Sequence, residues 1–271
     1  MITSMPDTTN NQHIPRFSAA AATYDRHAQI YEQVAQQLFR VLPDIAPPRH
    51  LLDAGCGTGL ITRACADLFP EARIVGLDQS PAMIHQARSK GPAFPRVEWA
   101  IGDLRDHWPL VPYDLILSSS TLQWLVPLDQ AITHLAAILR PGGWLVVAAM
   151  TGRTLEELHR LRAEVAPHKA VTRRLPSHAD FMQAIDQSPL TRAHNSTAHY
   201  QTDHADAKEL LQSLHELGVT GGDLSRGTVP LSRSELTRLV SRYDQVCRQP
   251  DGRVSATYEV SFFAAQKEGT S

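Results

Sequence analysis

With 271 residues, 42% hydrophobic and 20% charged, the chain is long enough to bury one sizeable core, alone or with an appended lobe. A formal net charge of -2 provides no global attraction to nucleic acid or to an anionic membrane. Cys56, Cys65 and Cys247 are odd in number and form no C-x-x-C pair, which argues against a disulfide framework or a zinc site and for a reducing compartment.

The first 14 residues are polar and read as a frayed terminus with no apolar signal segment. From Phe17, Tyr24, Ala28, Tyr31, Ala35 and Leu38 recur at helical spacing, predicting one helix with Ser18 as its N-cap and LPDIAPP (42–48) as its stop. Strand-like and helical runs then alternate. HLLDA (50–54) leads to a helix over 58–68, RIVGLD (73–78) to a helix over 80–89, and VEWAIG (97–102) to YDLILSS (113–119). A helix around 129–139 precedes WLVVAAM (144–150). This βαβ series demands a parallel sheet covered by helices on both faces, with right-handed crossovers.

Beyond Met150, TLEELHRLRAEVAP (154–167) and HADFMQAIDQ (178–187) read as helices and STAHYQT (196–202) as a sixth strand. DAKELLQSLHELG (206–218) and SRSELTRLVSRYDQVCRQ (232–249) are amphipathic helices, and ATYEVSFFAAQ (256–266) is the seventh strand. About 50 residues of mostly helix between the last two strands are too many for a hairpin turn and read as a lid. The expected division is a terminus (1–14), an N-terminal lid helix (15–46), a ligand-binding core (47–150), a helical substrate or lid region with one sheet strand (151–254), and a closing strand with its tail (255–271). The longest strongly apolar run, WLVVAAM, falls far short of the roughly 20 residues of a membrane span. The chain is expected to be cytoplasmic, with no membrane or nucleic-acid partner.

HLLDAGCGTGLITR (50–63) places Gly55, Gly57 and Gly59 between a strand and a helix, a bare backbone at a helix N-terminus where a ligand can approach closely. Position 60 is Leu, so G-x-G-x-x-G is absent, and no G-K-[ST] follows, which excludes a P-loop. Asp78 ends the second strand about 19 residues past Gly59, where a carboxylate can accept from ribose hydroxyls. Asp103 closes the third strand and can accept from an adenine amino group or cap a helix. Asp53 can brace the loop amides or meet a ligand amine. Three carboxylates suit a cationic ligand without phosphate, because each close anion pair costs roughly 1 to 4 kcal/mol.

These residues, with LRPGG (139–143) before the fifth strand, resemble the S-adenosylmethionine-dependent methyltransferases over residues 50–150. The resemblance implies a Rossmann-like, doubly wound α/β fold: a seven-stranded, mostly parallel sheet with an antiparallel last strand, plus a helical lid. It implies S-adenosylmethionine as cofactor, released as S-adenosylhomocysteine. It carries cofactor contacts onto Asp53, Gly55, Cys56, Gly57 and Gly59 of the loop. Further contacts fall on Asp78, Gln79 and Met83, and on Asp103, Leu104 and Ser119. Cys56 has no identifiable base partner and reads as a small packing residue rather than a nucleophile. The 13 histidines show no H-E-x-x-H spacing, so no metal is expected.

SSSTLQW (118–124) stands where base methyltransferases often carry an N-P-P-Y-like segment, which demotes a nucleic-acid acceptor. His199 is the one obvious base candidate on the late strands. FSAAAATYDRHAQIYEQVAQQL (17–38), LLQSLHELGVTGG (210–222) and LSRSELTRL (231–239) are similar to the malonyl-acyl-carrier-protein O-methyltransferases of biotin synthesis from about residue 15 onward. Ala19 and Ser119 depart from that pattern. The resemblance implies esterification of the free carboxylate of a malonyl thioester on acyl carrier protein or coenzyme A. Such an acceptor is already ionised at neutral pH and needs no general base. Tyr24 is expected over the cofactor, orienting the methyl group or the acceptor, and Arg173 is expected to reach the malonyl carboxylate. Residues 151–176 hold six Lys or Arg against three Glu, an expected docking face for an acidic carrier. Two other readings stay open: methylation of a free small acid, and binding of the cofactor without catalysis.

Overall fold

The computed structural model describes residues 18–21, 23, 29–91, 94–105, 111–170, 174–218 and 229–269. A helical turn at 18–20 precedes helix α1 (Gln29–Arg40), so the described residues hold the expected N-terminal helix in two pieces. Ser18 does not cap α1. Its hydroxyl meets that of Ser80 at 2.8 Å, and Thr23 Oγ1 donates to the Glu216 carbonyl at 3.1 Å. Tyr24 and Ala28 lie outside the described residues. α1 turns Ile30, Val34, Ala35 and Leu38 inward; Ala35 and Leu38 belong to the expected stripe, Tyr31 is only half-buried, and Ile30 and Val34 take the inward face beside them.

The chain continues through β1 (His50–Ala54), α2 (Leu60–Leu68), β2 (Arg73–Asp78), α3 (Pro81–Ser89), β3 (Val97–Ile101), β4 (Tyr113–Ser119), α4 (Leu128–Ala137) and β5 (Leu139–Met150). Then come α5 (Glu156–Val165), α6 (His178–Asp186), β6 (Leu190–His204), α7 (Ala207–Glu216), α8 (Arg233–Val246) and β7 (Val254–Lys267). The strands form one sheet in the order β3-β2-β1-β4-β5-β7-β6. Pairs among the first five are parallel, and β7 runs antiparallel to both β5 and β6. LRPGG falls within the bounds of β5, but the pairing with β4 jumps from Tyr113↔Leu139 to Leu115↔Trp144, so residues 140–143 bulge out ahead of the regular strand.

Side chains alternate across the sheet. On β4, Leu115 and Leu117 join α1 and α2 in one core, while Ile116 joins α4 and α6 in the other. The strand order reverses at β1, between β2 and β4; crossovers leave this point toward opposite faces and open a crevice beyond the carboxyl ends. Both the glycine loop and the Ser119–Thr121 turn emerge there.

β7 pairs with β5 only as far as Met150↔Val260, but with β6 as far as His204↔Val254. The overhang is a two-stranded ribbon on which α5, α7 and α8 pack through Leu161, Leu210, Leu214, Leu239 and Tyr243. Tyr243 donates its hydroxyl to the Ser255 carbonyl at 2.8 Å. β6 is far longer than the strand expected at 196–202. It is an edge strand whose residues alternate between half-buried and exposed, so an apolar pattern reveals little of it. Among the described residues no helix is long and apolar enough to cross a membrane.

Candidate functional site

β1 delivers its last residues to a loop that folds back on β2. The N–H groups of Gly55 and Cys56 both donate to the Leu77 carbonyl, at 2.8 and 2.9 Å. Gly55, Gly57 and Gly59 all have positive φ, yet they serve different neighbours. A Cβ on Gly55 would lie 2.1 Å from Thr121 Oγ1, and one on Gly59 would lie 2.4 Å from the Trp99 ring. One on Gly57 would meet nothing within 4 Å. Two glycines therefore make room for the protein itself, and Gly57 alone faces open space.

Asp78, at the end of β2, accepts the Gly57 N–H on Oδ2 at 2.9 Å and the Ser80 N–H on Oδ1 at 2.8 Å. Burial pushes its carboxyl above the usual range, against the pull of those two hydrogen bonds. Ser80 caps α3 by accepting the Met83 N–H at 3.2 Å, which sets Gln79 and Met83 beside Asp78.

Asp53 is buried, and its Oδ2 accepts from Thr62 Oγ1 at 2.5 Å. Oδ1 has no hydrogen-bond partner. Burial is the main cause that raises its carboxyl to about 7; Thr62 opposes the shift and Asp78 adds to it. Asp53 lines a recess on the α1 side of the loop with Tyr31, Cys56, Gly57 and Arg63, whose buried Nη1 also lacks a partner. Burial, with Asp53 and Asp78 nearby, pushes the Cys56 thiol well up, so it is no ready nucleophile.

On the other side of the loop a cleft of about 860 Å³, open mouth included, runs past Gly57, Asp78 and Gln79 to Asp103 and Leu104. Ser119 and Gly55 line both cleft and recess. Asp103 accepts the Arg105 backbone N–H and Nε at 2.9 Å, and Arg105 Nη2 adds a further close contact. Partial burial works against its ionisation, but these Arg105 contacts outweigh it and hold the carboxyl below the usual range. Ser120, at φ 55, and Thr121 complete the wall with Trp124. Ser119 is the one residue of this segment expected at the site from the sequence; Ser120, Thr121 and Trp124 join it only in the fold.

Trp124 also lines a chamber of about 640 Å³, open mouth included, with Tyr31, Thr151, His159, Arg174 and Tyr258. Arg173 lies outside the described residues, as does Tyr24. Arg174, its neighbour, stands at the chamber. The expected docking face is mostly engaged within the molecule. Arg160 pairs with Glu164 at 3.0 Å, Arg153 with Glu156 at 3.5 Å, and Lys169 with Glu235 at 2.8 Å. Buried Arg162 donates to the carbonyls of Lys169 and Val229. His199 is more than half exposed and lies 3.0 Å from Glu259. Among the described residues no cluster of His, Cys, Asp or Glu could hold a metal ion.

The sheet order, the glycine loop at its switch point and the acid ending β2 define a class of enzyme, the S-adenosylmethionine-dependent methyltransferases. A family model described as a methyltransferase domain matches residues 52–145. The fold is similar to that of a putative methyltransferase from Bacillus halodurans, with a TM-score of 0.61 at 14% identity over 86% of this chain and 98% of that one. The relatives reach further. A malonyl-[acyl-carrier protein] O-methyltransferase from Dechloromonas aromatica is 36% identical over 93% of this chain and 92% of its own length. One from Halorhodospira halophila is 32% identical over 91% and 84%. The chain belongs to the malonyl-[acyl-carrier protein] O-methyltransferase family.

Proposed function

We propose that this enzyme esterifies the free carboxylate of a malonyl thioester on acyl carrier protein, in biotin synthesis. The observation that carries the reading is the reach of the similarity. It extends over nine-tenths of the chain, well past the methyltransferase domain at 52–145 and through the ribbon and its helices.

The residues at the loop fit the donor. Orphaned Asp53 Oδ1 and Arg63 Nη1 in one recess match an amino acid's ammonium and carboxylate, and the open side of Gly57 leaves space for the group between recess and cleft. Asp78 retains acceptor capacity for ribose hydroxyls beyond its two backbone bonds. Gln79, Met83 and Leu104 would enclose the base, with Asp103 at its edge. When bound, S-adenosylmethionine supplies an electrophilic methyl group.

The chain's own residues do the rest. Trp124, common to cleft and chamber, bounds the passage between donor and acceptor and keeps water from it. Arg174 binds one oxygen of the acceptor carboxylate. A grip on both oxygens would stabilise the charged ground state more than the charge-depleted transition state. Tyr24 and Arg173 remain assigned from the sequence alone, as residues that orient the methyl group and assist at the carboxylate. The test is incubation with S-adenosylmethionine and malonyl-acyl carrier protein, read by intact mass. The expected product is a carrier heavier by one methylene. An unchanged carrier alongside a methylated free acid, such as aconitate, would move the assignment to small acids. Donor binding without transfer to any acid would leave only a binding protein.

A further inference from the structure

We propose that the apolar groove between α5, α7 and α8 receives the phosphopantetheine arm that carries the acyl group, with Lys208 at its outer end and His159 at its inner end. The proposal rests on the thioester reading and adds where the rest of that substrate lies. The groove measures about 1390 Å³, open mouth included. α7 lines it with Lys208, Leu211 and His215, one face at helical spacing, and α8 with Leu236, Leu239 and Val240.

Its position is the main argument. Leu155 and His159 line both this groove and the chamber, and the chamber shares Trp124 with the donor cleft. The three spaces therefore adjoin one another in the order cleft, chamber, groove, the order that a long arm with the reacting carboxylate at its tip requires. The junction is built rather than incidental. Leu155 holds a left-handed φ of 57, a strained conformation for a γ-branched residue, and its N–H is tied to the Thr257 carbonyl at 2.8 Å. His159 Nδ1 is buried there without a hydrogen-bond partner. Burial, with Arg174 and Arg162 nearby, lowers its pKa, so the ring is neutral and offers one hydrogen bond to an amide or a thioester carbonyl.

The lining also suits one class of occupant. The phosphopantetheine arm is aliphatic with two amides and, on a carrier, ends in a phosphodiester; half of the groove's lining is leucine, and exposed Lys208 is a cation for the phosphate. Leu236 is 44% exposed, an apolar side chain left facing water on the groove wall.

The experiment compares kcat/KM for malonyl-phosphopantetheine with that for malonyl-N-acetylcysteamine, which keeps only the inner part of the arm. The intact arm is expected to be preferred by at least about tenfold, and Leu236→Glu to remove most of that preference. Val246→Glu, an exposed position of α8 away from the groove, should leave the ratio as in the wild type. Donor affinity reports the fold of each variant. A ratio unchanged by Leu236→Glu overturns the proposal. If the wild type methylates neither thioester, the reaction assignment fails, and calorimetry with 4′-phosphopantetheine decides the groove alone. Binding weakened by Leu236→Glu supports it, and no binding overturns it.

Discussion

Asp78 accepts the N–H of Gly57 at 2.9 Å, so the acid expected to hold the ligand's ribose also holds the loop over which the ligand is expected to lie. The Ser80 N–H occupies its other oxygen. Asp78→Ala therefore removes an acceptor from two backbone donors as well as from the ribose. Donor affinity should fall by about 10 to 100-fold, equivalent to about 1.4 to 2.8 kcal/mol, and the ligand-free Tm should fall as well. Calorimetry and a thermal melt separate the two effects. An affinity within twofold of wild type would place the ribose elsewhere.

Gly55→Ala and Gly57→Ala should fail differently. Alanine at 55 collides with Thr121 and should lower the melting temperature whether or not ligand is present. Alanine at 57 finds open space and costs only the left-handed backbone, about 1 kcal/mol, while its methyl group enters the volume assigned to the donor. A folded Gly57→Ala protein with normal donor affinity would remove that assignment.

Asp53 should give donor binding a pH dependence. Its carboxyl is raised from 3.8 to about 7, so its contribution to the fold is complete below pH 4 and is lost as pH rises through about 7. The ammonium of the donor needs the ionised form, so affinity should move the other way and rise about fivefold between pH 6 and pH 7. Binding at pH 6 should release a proton, measurable by calorimetry in buffers of different ionisation enthalpy. Asp53→Asn should abolish both the slope and the release.

Glu235 works in the opposite sense. Lys169 and the Ser232 N–H and hydroxyl lower its carboxyl from 4.5 to about 2, so its contribution is present above pH 4.5 and fades as pH falls through about 2. Glu235→Gln should lower the Tm at pH 7, with the gap narrowing between pH 5 and pH 3. A gap independent of pH would mean that the carboxylate does not tie α8 to Lys169.

Arg174→Ala should raise KM for the malonyl thioester while donor affinity stays unchanged, since Arg174 lines the chamber and not the donor cleft. Steady-state kinetics beside donor calorimetry check this. An equal loss of both would make Arg174 a structural residue.

The alternation of apolar runs determines the five parallel strands and their helices, because a period of two or of 3.6 is a local property of the chain. Gly55, Gly57, Gly59 and Asp78 are legible for the same reason: a tight loop between strand and helix restricts residue types within a few positions. Only the folded chain decides which glycine faces open space, since that depends on Thr121 and Trp99, 66 and 40 positions away from Gly55 and Gly59 in the chain. The same holds for the orphaned atoms of Asp53 and Arg63, for the chamber that takes Arg174, and for the edge strand β6, whose wet face leaves little apolar pattern to read. Burial and the partners of a charged group are sums over distant segments, and no local periodicity encodes them.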